Sequence, residues 1–218
     1  MKSFIELSRA LVGGMPVFPG HPKVEFSLMD AEPPRQIMRL QLGTHSGTHI
    51  DAARHFIPDG HTIDQYSLDR FVLPAAVVRT EVQDDLEIEW VLLSAAVAAL
   101  GPGNALLIET GWDRFWGDTR MFRHPYLGAE ACRNLVDAGI GLVGTDALSV
   151  DSTTRRTREA HEILLGHDVL IIENLTNLSR LEPGLVYQCT FMPLHLTSGD
   201  GSPIRAYAEV DHTGIYPK

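Results

Sequence analysis

The feature of this sequence that most constrains its fold is an alternation of two kinds of segment. Short apolar runs rich in β-branched residues, which are typical of buried strands, alternate with longer segments that each end at a glycine, as helices commonly do. The strand candidates cover residues 36–42, 75–80, 105–110, 141–145, 169–173, 185–196 and 204–210, and the helix candidates cover residues 89–100, 128–138 and 157–165.

The order of these segments predicts the fold class. Strands and helices alternate in the middle of the chain, while the end of the chain and its first quarter favour strands. We therefore expect an α/β fold, a mixed sheet with helices packed against it. The outer strands would form a smaller, antiparallel layer. A chain of 218 residues with no internal repeat and no long Gly/Ser linker is expected to be one domain, residues 1–218.

Charge and composition argue against several kinds of partner. The 28 acidic and 18 basic residues give a net charge of −10, and the basic residues are scattered, so nucleic acid is not an expected partner. The longest apolar stretch, residues 91–100, is about half the length that spans a bilayer, so a membrane is not expected either. Glu6 interrupts the apolar N-terminal segment, and Cys132 and Cys189 form no disulfide framework. These features predict a cytoplasmic protein.

One short segment carries the pattern of a metal site. Three of the ten histidines, His45, His49 and His55, fall within eleven residues, and Asp51 lies among them. In an extended chain, His45, His49 and Asp51 project to the same side, because side chains alternate between faces. Two imidazoles and a carboxylate that converge in this way suit Zn²⁺ or a similar divalent ion. The alternative is that an HxxxH spacing arises by chance from surface or core histidines.

A second candidate region surrounds the strand predicted at residues 169–173. Glu173 ends this apolar run, so its carboxylate either lies at an exposed strand end or is paired with a cation, because burying it alone is costly. Sites in α/β folds gather at the carboxyl ends of strands, which favours the paired interpretation. His161, on the preceding helix, fits a site or an ordinary surface histidine equally well.

The sequence as a whole resembles a known family. Residues 45–55 read His-Ser-Gly-Thr-His-Ile-Asp-Ala-Ala-Arg-His, which matches the pattern H-x-G-T-H-x-D-x-x-x-H of the cyclase-like metal-dependent hydrolases. That family includes bacterial kynurenine formamidases and isatin hydrolases. The resemblance covers most of the chain and includes residues 16–20, 144–151, 161–173 and 201–206.

The resemblance implies a fold, an assembly and a set of metal ligands. The family has a swivelling β/β/α fold and usually forms dimers or tetramers, so a homodimer or homotetramer is expected. By similarity, His45, His49 and Asp51 hold one divalent ion. Asp51, His161 and Glu173 hold a second ion, with Asp51 bridging the two. Zn²⁺ is the expected metal; some members use Mn²⁺ instead, and some bind one ion only.

The resemblance also implies the chemistry. It assigns His55 as the catalytic general acid/base of a metal-dependent amidohydrolase that cleaves a carbon–nitrogen bond in a small amide, formamide or cyclic amide. A divalent ion can lower the pKa of bound water from 15.7 to about 7, which provides a nucleophile at neutral pH. An amine is a poor leaving group until it is protonated, and an imidazole of near-neutral pKa can donate that proton.

The sequence departs from kynurenine formamidases in one segment. Those enzymes carry Trp in a Pro-x-Trp-Pro-Gly-Asp segment that lines the substrate pocket, whereas this chain has Phe18 and then His21 in place of the Asp. Phe18 is therefore the candidate substrate-binding residue, and its alternative role is that of a core aromatic. The alternative function is arylformamidase, the hydrolysis of N-formylkynurenine in tryptophan degradation.

A different class of function also fits the histidine cluster. In a non-catalytic metal-binding protein, the same ligands would serve structure alone. Structural zinc sites are normally closed by four protein ligands that often include cysteine. Cys132 and Cys189 are remote in sequence from the histidine clusters, which counts against this class.

Overall fold

The computed structural model describes residues 2–211 of the chain. Its strands and helices follow one another in this order: β1 Lys2–Glu6, β2 Glu25–Met29, β3 Ile37–Gln41, β4 His49–Asp51, β5 Val72–Arg79, β6 Glu87–Ile88, α1 Trp90–Ala98, β7 Ala105–Glu109, β8 Tyr126–Leu127, α2 Ala129–Asp137, β9 Leu142–Thr145, α3 Glu159–Gly166, β10 Leu170–Glu173, β11 Val186–Pro193 and β12 Gly201–Asp211.

Eight of these strands form one mixed sheet that closes on itself. The strand order is β1-β12-β11-β5-β7-β9-β10-β4, and β4 pairs with β12 as well. One half of the sheet consists of four strands that run parallel to one another, β5, β7, β9 and β10. The other half, β4, β12, β11 and β1, pairs in antiparallel fashion. The predicted α/β class with a mixed sheet is confirmed, and the sheet forms a barrel-like core.

Strand β12 is the element that closes this sheet. Its first three residues pair with β4, residues 204–208 pair with β11, and residues 207–211 pair with β1. The antiparallel strands therefore continue the main sheet, because one long strand changes partners along its length. The separate antiparallel layer is the small ribbon of β2 and β3.

The strands of the parallel half are apolar throughout because both faces of the sheet are covered. On β7, Leu107 points into the core inside the closed sheet, where it joins Phe191 and Ile172. The neighbouring Leu106 points outward into a second core beneath the helices, where it joins Leu135. This arrangement explains why the sequence shows unbroken apolar runs here and no alternation of apolar and polar residues.

The three helices pack on the outside of the sheet through apolar stripes. Helix α2 buries Ala131, Cys132 and Leu135, at spacings that place them on one face of a helix. Helix α3 buries His161 and Leu164 with their neighbours Ala160 and Leu165, so the histidine belongs to the buried face. All three predicted helices are confirmed, with ends that differ by one or two residues.

The β2–β3 ribbon has an apolar face that is largely exposed in the described chain. Directly paired residues in an antiparallel ribbon share a face, and so do residues two apart. Phe26 and Leu28 therefore lie on the same face as their partners Leu40 and Met38. Leu28, Leu40 and Met38 are 64%, 56% and 51% exposed.

Within residues 2–211, no helix has the length and apolar character that crossing a bilayer requires.

Candidate metal and active site

Strand β4 places two of the candidate ligands. His49 and Asp51 are two residues apart, so they project from the same face of the strand. Both are buried. The strand lies between β10 and β12, with Ile50 opposite Ile172 on one side and opposite Ser202 on the other. Hydrogen bonding on both edges fixes the position of these two side chains.

His45 reaches the same place by a turn. The strand begins only at His49, and Gly47 has a φ of +64°, in the left-handed region that glycine adopts without strain. A side chain on Gly47 would also come within 2.9 Å of Leu11 Cδ2. The sequence spacing predicts that His45, His49 and Asp51 lie on one face of an extended segment. The structure brings the three together through a turn and bend over residues 44–48, and not through strand alternation.

The carboxylate of Asp51 lies at the centre of the histidines. Its Oδ1 is 2.7 Å from Nδ1 of His45 and 3.4 Å from Nε2 of His49. Its Oδ2 is 3.5 Å from Nε2 of His161 and is a buried oxygen with no hydrogen-bond partner. The two oxygens therefore face two different groups of side chains.

Glu173 lies between these groups. Its Oε2 is 3.5 Å from Nε2 of His49, and its Oε1 is 3.4 Å from Nε2 of His161. The backbone N–H of Val150 donates to Oε1 at 3.0 Å. Glu173 and His161 are both buried, so the structure favours the paired interpretation of the glutamate over an exposed strand end. It likewise places His161 in the site and not on the surface.

The histidines that face these carboxylates are each held through their other ring nitrogen. Nε2 of His45 lies 3.0 Å from Asp200, and Nδ1 of His161 lies 2.7 Å from Asp151. Nδ1 of His49 lies 2.9 Å from the carbonyl oxygen of Gly47. Histidines that bind metals characteristically have such an acceptor, which fixes the tautomer and directs the free nitrogen to the ion.

Asp151 and Asp200 have no role predicted from the sequence. Asp151 lies in the loop after β9, and Asp200 immediately precedes β12. The position of Asp200 next to a strand was the available signal, but it is 155 residues from His45. Only the closure of the sheet brings them together.

Neighbouring charges in the site shift the pKa values of its side chains. Burial alone would lower the pKa of His45, but the charges and hydrogen bonds of Asp51 and Asp200 outweigh it and raise that pKa to about 10. Burial would raise the pKa of Glu173, yet its contacts with the facing imidazoles lower it to about 2. Burial would likewise raise the pKa of Asp51, but the neighbouring imidazoles of His45, His49 and His161 hold it well below its usual value. Ionised carboxylates thus draw positive charge into a buried space.

The residues present fit a divalent metal ion. Nitrogen and oxygen donors of His45, His49 and Asp51 lie within 4.8 Å of one another, and so do donors of Asp51, His55 and His161. A buried carboxylate oxygen without a hydrogen-bond partner is costly in a protein interior, and a cation beside Asp51 Oδ2 would satisfy it. Imidazole and carboxylate donors are those that Zn²⁺ accepts.

His55 ends the 3₁₀ turn Ala53–His55 that follows β4. Its ring centroid is 3.9 Å from that of His45, and its Nδ1 is 3.5 Å from Asp200. Its side chain is 22% exposed, more than that of His45, His49 or His161, so it lies at the boundary between the buried donors and the open cavity. Its position suits contact with both the donors and a bound molecule.

The site opens into a cavity of about 570 Å³. Aromatic side chains in its lining are Phe18, Phe56 and Trp116. Phe18 is partly exposed and its ring centroid lies 5.4 Å from that of His21, so it belongs to the cavity wall and not to the core. Contact between Phe18 and a substrate remains a prediction. Sequence reasoning did not identify Trp116, because nothing in its local sequence links it to the histidine motif.

Comparison with known proteins gives consistent results. Residues 5–152 match the sequence profile of the family described as "Putative cyclase". The kynurenine formamidase of Erythrobacter litoralis is 31% identical over 205 residues, which are 92% of this chain and 91% of that protein. The kynurenine formamidase of Salinibacter ruber is 30% identical over 220 residues, which are 94% of this chain and 96% of that protein.

Solved structures show the same fold. An isatin hydrolase bound to the product analogue thioisatinate superposes with a TM-score of 0.87 at 24% identity, over 96% of this chain and 92% of the other. A potential metal-dependent hydrolase with cyclase activity superposes with a TM-score of 0.80 at 24% identity, over 96% and 98% of the two chains.

Proposed function

Because this chain belongs to the putative cyclase family, we propose that it is a metal-dependent hydrolase that cleaves a carbon–nitrogen bond of a small amide, formamide or cyclic amide. The observation that carries this proposal is the position of Asp51, whose two carboxylate oxygens face different histidines beneath an open cavity. Relatives named kynurenine formamidase and isatin hydrolase support a formamide or a cyclic amide as the substrate class.

We assign the metal ligands in two overlapping sets. His45, His49 and Asp51 would hold one divalent ion, and Asp51, His161 and Glu173 would hold a second, with Asp51 shared. Zn²⁺ suits these donors, Mn²⁺ is the alternative, and the proposal covers one or two ions per chain. When bound, the metal supplies positive charge that acidifies an adjacent water and polarises the substrate carbonyl.

His55 would move the proton that the reaction requires. Attack of water on the carbonyl releases a proton, and the departing nitrogen needs one, so a single imidazole can take up the first and deliver the second. His55 lies beside the donor set and lines the cavity, as such a group must. Asp200, 3.5 Å from Nδ1 of His55, would orient the ring so that Nε2 serves the substrate.

Arylformamidase activity is the second candidate. The names of the two kynurenine formamidases described above, at 31% and 30% identity, favour it. Phe18 distinguishes this chain from the tryptophan pattern of those enzymes, and it offers a smaller ring and no indole N–H donor. We therefore place N-formylkynurenine among the substrates but expect another amide or lactam to be preferred.

A non-catalytic metal site would have a different architecture. Structural sites are normally closed by four protein ligands. Here the donors border a cavity of about 570 Å³. Cys132 lies in the core beneath the helices and Cys189 in the core inside the sheet, so neither contributes to this centre. These features favour catalysis.

We further propose that the chain forms a homodimer or homotetramer and works in the cytoplasm. The largely exposed apolar face of the β2–β3 ribbon supports self-association, because such surface is normally buried against a partner. Two buried free thiols suit a reducing compartment.

Metal analysis combined with a hydrolysis screen tests the proposal. We expect purified protein to contain divalent metal and to hydrolyse at least one of N-formylkynurenine, isatin and simple cyclic amides. His49→Ala should lose metal and activity, whereas the matched control His167→Ala should keep both. The imidazole of His167 is exposed and, within residues 2–211, bonds only to the Ile163 carbonyl. Equal metal content in wild type and His49→Ala would contradict the ligand assignment, and a metal-loaded protein inactive on the whole panel would contradict the function.

A further inference from the structure

One wall of the cavity is the loop between β9 and α3, and it carries a cation that nothing in the described chain neutralises. Arg156 lines the cavity and is exposed. Within residues 2–211, its guanidinium has no acidic or hydrogen-bonding partner. Arg158 also lines the cavity, but it lies 3.8 Å from Glu162 and over the ring of Phe56. Arg155, which does not line the cavity, donates to the hydroxyl of Tyr126.

The backbone at Arg156 is in a conformation that arginine does not prefer. Its φ is +55°, in the left-handed region that favours glycine. A residue held there costs free energy, and such strain persists where the surrounding structure enforces it, often at functional sites. An arginine at a position suited to glycine therefore points to a role for its side chain.

Hydrogen bonds on both sides of Arg156 enforce this conformation. The N–H of Ser152 donates to Oγ1 of Thr157 at 2.8 Å, and the N–H of Thr157 donates to the carbonyl of Ser152 at 3.1 Å. Oγ1 of Thr157 in turn donates to Asp151, the carboxylate that holds His161. The loop that presents Arg156 is thus tied to the same residue that orients a candidate ligand.

Among the described charged residues that line the cavity, Arg156 differs from the others because its charge is not paired. The carboxylates Asp151 and Glu173 in the cavity lining are both engaged by His161. Of the described lining residues, only Arg156 and Arg158 carry a permanent positive charge, and only Arg156 lacks an acidic partner. A guanidinium presents paired donors whose geometry matches a carboxylate, which it can bind through two parallel hydrogen bonds.

We propose that Arg156 is a specificity residue that binds a carboxylate of the substrate, so that this enzyme acts on anionic amides. The inference rests on the proposed function and narrows its substrate class. The scissile amide would lie at the histidines, and a carboxylate elsewhere in the same molecule would pair with Arg156 at the cavity wall. Because Arg156 is exposed, salt should weaken this attraction.

The direct test compares 2-formamidophenylacetate with its neutral counterpart 2-formamidophenylacetamide. Release of formate is measured, so that the second amide of the neutral compound does not contribute. We expect wild type to prefer the anion. Arg156→Gln should lower the ratio of the two kcat/KM values, anion over neutral, by about tenfold. This is the lower end of the range for hydrogen bonds to charged groups, because Arg156 is exposed. Arg156→Lys should retain part of the preference. Arg155→Gln, the matched control, should leave the ratio unchanged. An unchanged ratio in Arg156→Gln would overturn the proposal.

A binding measurement separates this proposal from the proposed function. If neither formamide is hydrolysed, the panel of N-formylkynurenine, isatin and cyclic amides still decides the hydrolase assignment. Calorimetry of metal-loaded protein with phenylacetate and phenylacetamide then decides the role of Arg156. We expect Arg156→Gln to weaken phenylacetate binding roughly tenfold relative to phenylacetamide. A phenylacetate affinity unaffected by the substitution would place the carboxylate elsewhere and overturn the inference.

Arg156→Gly tests independently whether the positive φ at residue 156 strains the backbone. Glycine adopts a positive φ without strain, so this variant should have an unfolding temperature equal to or above that of wild type while it loses the anion preference. A variant that is destabilised and keeps the preference would show that the arginine serves the fold and not recognition.

Discussion

Asp200 lies 3.0 Å from Nε2 of His45, while the other ring nitrogen of that histidine lies 2.7 Å from Asp51. The imidazole of His45 is therefore held between an outer and an inner carboxylate. Asp200 also lies 3.5 Å from His55, so a single carboxylate links a candidate ligand to the candidate proton carrier. Asp151 holds His161 at 2.7 Å in the same way but, among the described residues, forms no hydrogen bond or ion pair with His55.

Asp200 and Asp151 should differ in their effect on catalysis. Asp200→Asn and Asp151→Asn should each weaken metal binding by about 10–100-fold, the usual cost of removing an outer carboxylate, as measured by competition with a chelator. With metal restored to saturation, only Asp200→Asn should still show a lowered kcat, because it alone contacts His55. Wild-type metal affinity in both variants would contradict the role of these carboxylates.

Replacing His55 should separate catalysis from metal binding. We expect His55→Gln to lower kcat by about 10²–10⁴-fold, the range for general acid/base catalysis, while metal content measured by elemental analysis stays at the wild-type level. Donors of His55, Asp51 and His161 lie within 4.8 Å of one another, so loss of metal in His55→Gln would instead identify His55 as a ligand. Near-normal turnover would remove it from the mechanism.

The cavity wall predicts an effect of aromatic size. Phe18→Trp should raise kcat/KM for N-formylkynurenine by a factor of about two to twelve, the equivalent of roughly 0.5–1.5 kcal/mol of aromatic contact. The measurement compares this substrate with isatin and unsubstituted lactams in both proteins. If wild type already reaches about 10⁵ M⁻¹s⁻¹ on N-formylkynurenine, well within the normal range for enzymes, arylformamidase is the better assignment.

The two cysteines should be unreactive in the folded protein. Burial raises the pKa of both Cys132 and Cys189 to about 12. A thiol with such a pKa is deprotonated in only about 10⁻⁴ of molecules at pH 8, and only the thiolate reacts. We expect negligible labelling by a thiol reagent at pH 8 and labelling of both cysteines in denaturant. Fast labelling of the folded protein would contradict the prediction that both thiols are buried and protonated. The single variants Cys132→Ala and Cys189→Ala would then show which cysteine reacts.

Much of the fold could be predicted because the main sheet is covered on both faces. Burial on both sides requires unbroken apolar runs, and such runs are easy to locate: the strand expected at residues 105–110 is observed at Ala105–Glu109. Short or exposed strands are harder to locate. The partial alternation at residues 36–42 predicts β3, observed at Ile37–Gln41, but β2 in the same exposed ribbon and the three-residue strand β4 are not predicted.

The site could be predicted only in part for a related reason. The spacing of His49 and Asp51 is a local property of a strand, so the sequence displays it. The contact of His45 with Asp200, and the way Glu173 faces both His49 and His161, depend on which strands become neighbours. Sequence spacing alone does not contain that information, and the family resemblance supplied the pairing of the two histidine regions.

The pairing of β4 also has a consequence for synthesis on the ribosome. Ile50 has Ile172 as one neighbour and Ser202 as the other, so the strand acquires its second partner about 150 residues after it is made. At translation rates of about 5–20 residues per second, that delay is roughly 8–30 s. Throughout this interval the nascent chain carries the His45–Asp51 segment without the sheet that positions it. The metal centre can therefore mature only after nearly all the described chain has emerged.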